Sequence, residues 1–265
     1  MRSDQLKKLD ILLLIMFPVL AAGTSLLFRI SFFASTLLFF GLPAAWFSYR
    51  TQHAIKKTAL FSLIFAVAGV ITLDYIGTAS KAWYEPQSIF SYRFFGILPI
   101  EDLIWSFLLV YTIIMMYEHF LHKGRHELID RRMKYFVWPV ALFAAAAIVA
   151  YIINPLVLQS SYTYTVLGII FLLLPSITFL SRFPRLISKY VKVGSYFFVY
   201  YLVYEMTGLQ LGWWMFPGKY LGWINIFGFR IPFEEFFFWL VLTAISILSY
   251  YEFFDENPTK DNAKT

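Results

Sequence analysis

The chain has 265 residues, of which 60% are hydrophobic, 21% aromatic and only 14% charged, and its formal net charge is +6. Soluble domains typically carry about a quarter charged residues, so this composition excludes an ordinary soluble protein and indicates a polytopic membrane protein. There is no cysteine, which excludes disulfides, thiolate nucleophiles and Cys-based metal sites.

Apolar runs of membrane-spanning length recur along the whole chain and predict an all-α membrane helix bundle. The first run follows Lys7 and Lys8 and lacks a small-residue cleavage pattern, so we interpret it as a span rather than a signal peptide. In chain order, the predicted helices lie near 10–28, 32–48, 59–77, 99–117, 136–153, 162–181, 193–211 and 232–250.

The basic residues lie at the ends of these segments, which favours orientation signals over nucleic-acid binding. With a cytoplasmic N-terminus, seventeen of the 22 Lys and Arg residues fall on the inside. The positive-inside rule therefore predicts a multi-pass protein of the cell membrane with both termini in the cytoplasm. Seven spans would put the termini on opposite sides and spoil this count.

The two halves of the chain contain matching residues at a nearly constant spacing, close to half the chain length. We expect the small changes in this spacing to come from loop insertions. The matched pairs are Pro43/Pro175, Phe47/Phe179, Arg50/Arg182, Lys57/Lys189, Asp74/Glu205, Gly77/Gly208, Trp83/Trp214, Pro86/Pro217, Pro99/Pro232, Glu101/Glu234 and Asp102/Glu235. The predicted organisation is a first repeat (1–121), a basic cytoplasmic linker (122–135), a second repeat (136–254) and a cytoplasmic tail (255–265). Four spans per repeat predict parallel repeats related by an axis along the membrane normal, with a site at their interface.

Two matched motifs, LPIEDL (98–103) and IPFEEF (231–236), place adjacent acids in apolar sequence. Proline suits the first position of a helix, and an acid in the first turn interacts well with the helix dipole, so one interpretation is a simple helix start. A second adjacent acid adds repulsion and little capping, which favours a protonated carboxyl that can donate a proton.

A further matched pair of acids, Asp74 and Glu205, is predicted near the outer ends of helices three and seven. Ionisable residues inside spans are functional candidates, although these two can also simply end a helix at the water interface. If helix three ends where helix four begins, six carboxyls gather at one end of the protein: Asp74, Glu101, Asp102, Glu205, Glu234 and Glu235.

Aromatic residues next to the acids are candidates for stabilising a carbocation, because a π face attracts a cation best where water is excluded. They are Trp105, Phe236, Phe237, Phe238 and Trp239. The outer-loop aromatics match an ordinary interfacial belt: Trp83, Tyr84, Trp213, Trp214, Tyr220 and Trp223. We interpret the four histidines (His53, His119, His122 and His126) as solvated interface residues, with a metal site as the less favoured alternative. A nucleotide-binding glycine motif and a Ser/His/Asp triad are absent.

Tandem bundles with PIED (99–102) and PFEE (232–235) at helix starts resemble the membrane-integral lycopene cyclases, a family distinct from the flavin-binding cyclases. Its two homologous halves occur as separate subunits or fused, so the resemblance implies a complete fused cyclase. It also implies that lycopene is converted to β-carotene through γ-carotene, without net redox change. A carboxylic acid protonates the terminal double bond, the neighbouring alkene attacks the cation, and a proton leaves the new ring.

From this resemblance we expect Glu101 and Glu234 to be the principal acid/base residues, with Asp102 and Glu235 as partners and Asp74 and Glu205 as secondary candidates. Trp105, Phe236, Phe238 and Trp239 are the expected substrate-lining residues. No cofactor and no metal is expected. The expected partners are a carotenoid taken from the lipid phase, membrane lipids and other carotenoid-biosynthesis enzymes, with no nucleic acid. The alternatives are a Mg²⁺-dependent prenyltransferase and a proton-coupled transporter.

Overall fold

The computed structural model describes residues 3–122 and 134–254. Within these residues the fold is a bundle of eight long helices: α1 (Ser3–Phe28), α2 (Phe32–Arg50), α3 (Gln52–Ala79), α4 (Ile100–His122), α5 (Lys134–Ile153), α6 (Thr163–Arg182), α7 (Ile187–Leu211) and α8 (Glu235–Phe253). Six of them, α1, α2, α3, α4, α6 and α8, are candidate membrane spans by length and hydropathy. The predicted all-α membrane fold is confirmed. Residues 123–133 of the predicted linker and the predicted tail (255–265) lie outside the described residues.

Several helices extend further than their apolar windows predict. Helix α3 begins at Gln52 rather than at 59, and α7 begins at Ile187 rather than at 193. Each is preceded or opened by a short 3₁₀ turn, Gln52–Ala54 and Pro184–Leu186. Hydropathy misses these first turns because their side chains are polar. Polar side chains do not interrupt the backbone hydrogen bonds of a helix, so the helix still begins there.

Two small β-hairpins, which the apolar pattern did not predict, connect α3 to α4 and α7 to α8. Strand β1 (Arg93–Phe94) pairs antiparallel with β2 (Leu98–Pro99), and β3 (Trp223–Ile226) pairs with β4 (Phe229–Pro232). In the second hairpin Phe227 and Gly228 both have positive φ, the backbone that a tight two-residue hairpin turn requires.

The sequence predicted that each motif proline is the first residue of its helix. In the structure both prolines lie just before the helix. Pro99 ends β2 and precedes the first helical residue, Ile100, with φ −59° and ψ 145°. Pro232 likewise ends β4. The fixed φ of proline fits an extended residue as well as a helical one, so each proline marks the strand-to-helix junction.

The repeat seen in the sequence is also present in the backbone. All eight described residues with positive φ form pairs at the repeat spacing: Arg29/Tyr162, Lys81/Gly212, Phe95/Phe227 and Gly96/Gly228. Tyr84 and Met215 occupy equivalent positions in the two repeats, form an isolated antiparallel bridge and exchange two backbone hydrogen bonds of 3.0 Å. Equivalent residues that bond reciprocally lie on a local two-fold axis.

The same axis is visible at the opposite end of the bundle. Tyr117 and Glu118 of the first repeat recur as Tyr251 and Glu252 in the second. The hydroxyl of Tyr117 donates to Glu252, and the hydroxyl of Tyr251 donates to Glu118, so the two pairs bond crosswise. An axis that passes through both ends runs along the bundle, and the two repeats are therefore parallel.

One change of repeat spacing occurs inside a helix, not in a loop as we expected. The first repeat has one residue more between Lys57 and Asp74 than the second has between Lys189 and Glu205. A wide π-helical turn, Val70–Asp74, absorbs this residue in α3, whereas α7 is a regular helix throughout. Such turns accommodate single insertions without ending a helix.

A second wide turn, Glu235–Leu242, opens α8 where α4 is regular. It accommodates an extra residue of the second repeat, which lies between the matched pairs Asp102/Glu235 and Trp105/Trp239. The hairpins also differ in length, because β3 and β4 have four residues each and β1 and β2 have two.

Tyrosine-rich α7 lies at the centre of the bundle, which explains its low hydropathy. Tyr200, Tyr201 and Tyr204 are buried, and Tyr204 packs edge-on against Phe39 and Phe40 at ring-centroid distances of 5.0 and 5.1 Å. Edge-to-face contacts of this kind stabilise aromatic cores. Helix α7 is thus held by protein rather than by lipid.

The prediction that the histidines are solvated is wrong for two of them. The imidazole of His119 bonds to Thr51 and to the buried carboxylate of Asp10, and His122 is buried with Nδ1 3.3 Å from Glu252. Burial beside a carboxylate removes the need for solvation. His53 is exposed as predicted, and His126 lies outside the described residues.

Candidate active site

An elongated cavity of about 480 Å³ lies between the two repeats. Its lining on α3 extends from Phe61 to Asp74, which corresponds to about 20 Å at 1.5 Å per residue. Ile64 lines the cavity and is also 61% exposed, so the cavity opens beside α3 to the lipid-facing surface. The opposite wall comes from α6 and α8 of the second repeat.

Five carboxyl groups line this cavity: Asp74, Glu85, Asp102, Glu205 and Glu235. Four of them were predicted from the sequence, and both repeats contribute. None of the described lining residues is Lys, Arg or His. Five ionised carboxylates in an apolar cavity without a cation would be very costly, so protonated carboxyls predominate there.

The first repeat contributes a trio of carboxyls. One oxygen each from Asp74, Glu85 and Asp102 lies within 4.8 Å of the others, a geometry that can also hold a divalent cation. The indole Nε1 of Trp83 donates to Asp74 at 2.9 Å. It is the one side-chain donor hydrogen-bonded to the trio in the part of the chain that the structure describes, and Glu85 Oε2 and Asp102 Oδ2 are buried without a partner.

The second repeat contributes a pair of carboxyls with more donors. Trp214 Nε1 donates to Glu205 at 2.8 Å, and the hydroxyl of Tyr164 donates to Glu235 at 2.7 Å. Each carboxyl of this pair, Glu205 and Glu235, thus has a side-chain donor of its own.

Two matched glycines make room for the indoles that hold these acids. A Cβ on Gly77 would lie 2.1 Å from the ring of Trp83, and a Cβ on Gly208 would lie 2.2 Å from that of Trp214. Real Cβ contacts are not this close, so any larger residue would displace the indole. The recurrence of Gly, Trp and acid in both repeats is therefore one packing unit.

Glu101 and Glu234, the predicted principal acids, do not line the cavity. Glu101 accepts from the hydroxyl of Ser88 and from the backbone N–H of Ile89 at 2.7 Å. Glu234 Oε1 accepts from Thr165 Oγ1 at 2.6 Å and from the backbone N–H of Leu221 at 2.8 Å. Both buried side chains fasten the outer loops, and their catalytic role stays a prediction.

The predicted aromatic walls are present in part. Trp105 and Trp239 line the cavity with ring centroids 5.2 Å apart, and Tyr201 stacks on Trp239 at 4.7 Å. Phe236 and Phe238 lie outside the lining. Phe238 is buried against Gly168 and Tyr164, and Phe236 packs against Phe198.

The predicted interfacial belt is wrong for several outer-loop aromatics. Trp83 and Trp214 line the cavity, and Trp213 is 1% exposed. Tyr220 points inward and donates to the carbonyl of Ala82 at 2.8 Å. The hairpins and loops place these rings on their inner side. Buried Trp and Tyr rings of this kind usually find an acceptor for the polar N–H or O–H. Tyr84 and Trp223 are exposed, as a belt requires.

Glu85 is the site residue that the sequence reasoning missed. Glu85 does not belong to a matched pair of acids, because its equivalent in the second repeat is Phe216, which also lines the cavity. Its position between the matched residues Trp83 and Pro86 was the available signal. Burial, and to a smaller degree the charge of Asp74, raises the pKa of Glu85 to about 8.

The comparisons with known proteins agree with this geometry. The family model described as lycopene cyclase matches residues 11–120 and 159–254, which covers most of both repeats and includes every carboxyl of the cavity. No curated protein and no solved structure matched the chain.

Proposed function

This chain belongs to the lycopene cyclase family, and from that premise we propose that it converts the ψ-ends of lycopene into β-ionone rings, giving β-carotene through γ-carotene. The observation that carries the proposal is the cavity between the repeats. It combines five carboxyls with aromatic walls, opens to lipid and has no basic residue in its described lining. An apolar substrate that reacts through a cation needs these features together.

In the proposed reaction, a carboxylic acid of the cavity transfers its proton to the terminal double bond of the substrate. The tertiary cation is attacked by the neighbouring alkene, whose electron pair forms the ring bond and moves the charge to the next carbon. A carboxylate removes a proton from the ring, so no electron is gained or lost. Asp102 and Glu235 are the motif acids that line the cavity and can perform these transfers.

The aromatic walls support the cationic intermediate. Trp105 and Trp239 line the same cavity as the acids, and a π face stabilises a cation most strongly where water is excluded. Both tryptophans lie about one turn from their motif acids. Glu101 and Glu234 keep the outer loops closed over this end of the cavity.

The cavity processes one end of the substrate at a time in our proposal. Lycopene is about as long as the hydrocarbon core is thick, roughly 30 Å, whereas the cavity lining on α3 extends about 20 Å. Each turnover therefore cyclises one end, releases the monocyclic product and rebinds it reversed. A time course with purified protein tests this: dicyclic product without any monocyclic intermediate, even when excess lycopene traps released product, would overturn it.

Expression in a bacterium that accumulates lycopene, followed by chromatography of the pigments, tests the activity itself. We expect the red pigment to be replaced by β-carotene. Unchanged lycopene, with the protein demonstrably in the membrane, would refute the proposal. Glu235→Gln in the same host provides the matched inactive control.

The carboxyl trio also offers a reason to test the prenyltransferase alternative, since its geometry can hold a divalent cation. That chemistry needs Lys or Arg to bind diphosphate, and the described lining of the cavity contains neither. We expect cyclisation to be unchanged by EDTA. Loss of activity with EDTA and recovery with Mg²⁺ would favour the alternative.

The protein is a multi-pass membrane protein, and we propose that it lies in the cell membrane with both termini in the cytoplasm. The positive-inside bias supports this orientation. The proposed partners are the carotenoid substrate from the lipid phase, membrane lipids and other enzymes that handle carotenoids. Reporter fusions to each terminus test the orientation, and an extracytoplasmic signal from either would contradict it.

A further inference from the structure

The two halves of the cavity are not chemically equivalent. The first repeat presents three carboxyls and one side-chain donor, whereas the second presents two carboxyls, each with its own donor from Tyr164 or Trp214. Two substitutions between the repeats create this difference. Glu85 occupies the position of Phe216, and Phe32 occupies the position of Tyr164, and all four line the cavity.

Hydrogen-bond donors stabilise carboxylates, and a lack of donors favours protonated carboxyls. The trio is therefore the half that holds protons. In the pair, Tyr164 donates to Glu235 and Trp214 donates to Glu205, and these donors stabilise the charged forms of the two carboxyls. This asymmetry matches a reaction that adds a proton at one carbon and removes one at another.

Within the trio, Glu85 is the carboxyl that lies on a loop, and specific contacts fix that loop. Residue 84 is fixed by the bridge to Met215, and the guanidinium of Arg93 donates to the backbone carbonyl of Glu85 at 3.0 Å and to that of Ile97 at 2.7 Å. The arginine thus holds the loop but does not bond to the side chain. Glu85 Oε2 is left buried and without a partner.

We propose that Glu85 is the general acid that protonates the substrate, and that the Glu205–Glu235 pair is the base that recovers the proton. This inference rests on the proposed cyclase function and assigns roles within it. Asp74 and Asp102 keep Glu85 protonated until the substrate arrives, because a second charge in the trio would be repelled. After the proton leaves the ring, it returns from the pair to the trio and the site is reset.

The direction of the pKa shift of Glu85 agrees with this role. At a pKa of about 8 the side chain is protonated at neutral pH and titrates close to it, which suits a general acid. Its charge is influenced by groups on every neighbouring element: Asp74 on α3, Asp102 on α4, Tyr204 on α7, Glu235 on α8 and Arg93 on β1.

The test compares wild type with Glu85→Gln, Glu85→Asp and Gln87→Glu, purified and supplied with lycopene between pH 6 and pH 9.5. Gln87 is exposed on the same loop and serves as the matched control. We expect Glu85→Gln to lower the initial rate by about a hundredfold or more with normal folding, and Gln87→Glu to have no effect. The wild-type rate should fall above about pH 8, and Glu85→Asp should be slower but keep this fall.

A Glu85→Gln rate within threefold of the Gln87→Glu rate, or an alkaline fall that persists unchanged in Glu85→Gln, would overturn the assignment. If Glu85→Gln does not reach the membrane, Glu85→Asp provides the test. A full rate with the wild-type pH profile in Glu85→Asp would then overturn the assignment, because a precisely placed acid does not tolerate a shorter side chain. Absence of any cyclic product from both wild type and Gln87→Glu would instead remove the cyclase function and this inference with it.

Discussion

Replacing the second acid of the PFEE motif should stop the reaction, whereas replacing the first should mainly weaken the fold. Glu235 lines the cavity and bonds to Tyr164, while Glu234 lies outside it and holds Thr165 and Leu221. Glu235→Gln keeps the size of the side chain but cannot exchange a proton. Loss of a general acid or base lowers a rate by about a hundred- to ten-thousandfold.

Glu234 offers a sharper comparison because both of its hydrogen bonds end on the same oxygen, Oε1. Glutamine keeps that oxygen, so Glu234→Gln should cost about 1 kcal/mol and leave cyclisation near normal. Alanine removes both bonds and leaves the N–H of Leu221 without its partner. Glu234→Ala should therefore cost about 2–6 kcal/mol, at about 1–3 kcal/mol per lost bond.

Pigment analysis in the lycopene-accumulating host measures activity, and thermal unfolding in detergent measures stability. Glu101→Gln and Asp102→Asn form the matched set in the first repeat. A Glu234→Gln variant that folds like wild type but makes no cyclic product, beside an active Glu235→Gln variant, would refute the division of roles within the motif. Glu234 would then be the reacting acid that the sequence alone suggested.

Two further predictions concern stability. Gly208→Ala places a Cβ 2.2 Å from an indole ring and should destabilise the protein by about 1–3 kcal/mol, whereas Gly23→Ala, with nothing within 4 Å, should not; equal melting temperatures would contradict the packing argument. Because the pKa of Glu85 rises from 4.5 to about 8 on folding, its stabilising contribution is fully present below pH 4.5 and is lost as the pH rises from there through about 8. This shift corresponds to about 5 kcal/mol. Glu85→Gln should therefore be more stable than wild type at pH 8.5 and nearly equal in stability at pH 4.5. A stability difference between the two proteins that does not change with pH would contradict this prediction.

The helices and their pairing were readable from the sequence because each depends on local pattern. Apolar runs of sufficient length predict spans, and residues such as Gly77, Trp83 and Asp74 recur in order because they form one packing unit. The parallel arrangement followed from an even number of spans in each repeat. The bridge of Tyr84 to Met215 agrees with it.

The contents of the cavity were less accessible to sequence reasoning. Adjacent acids on a helix point about 100° apart, so one of each motif pair faces the cavity and the other faces the loops, and the sequence does not say which. Asp102 and Glu235 face the cavity because the outer loops deliver N–H and hydroxyl groups to Glu101 and Glu234. Glu85 was not predicted because a comparison of the repeats finds the residues that both share, and Glu85 is present in the first repeat only.

The wide turn at Val70–Asp74 has a consequence for how duplicated membrane proteins diverge. A residue inserted into a regular helix would rotate everything beyond it by about 100°, and the displaced face would lose its partners. Confining the extra residue to one wide turn lets the helix on either side keep its original neighbours. A single-codon insertion in one gene copy can then survive selection. That repeat gains a local geometry beside Asp74 that the other repeat lacks, while the symmetry of the rest of the bundle is preserved.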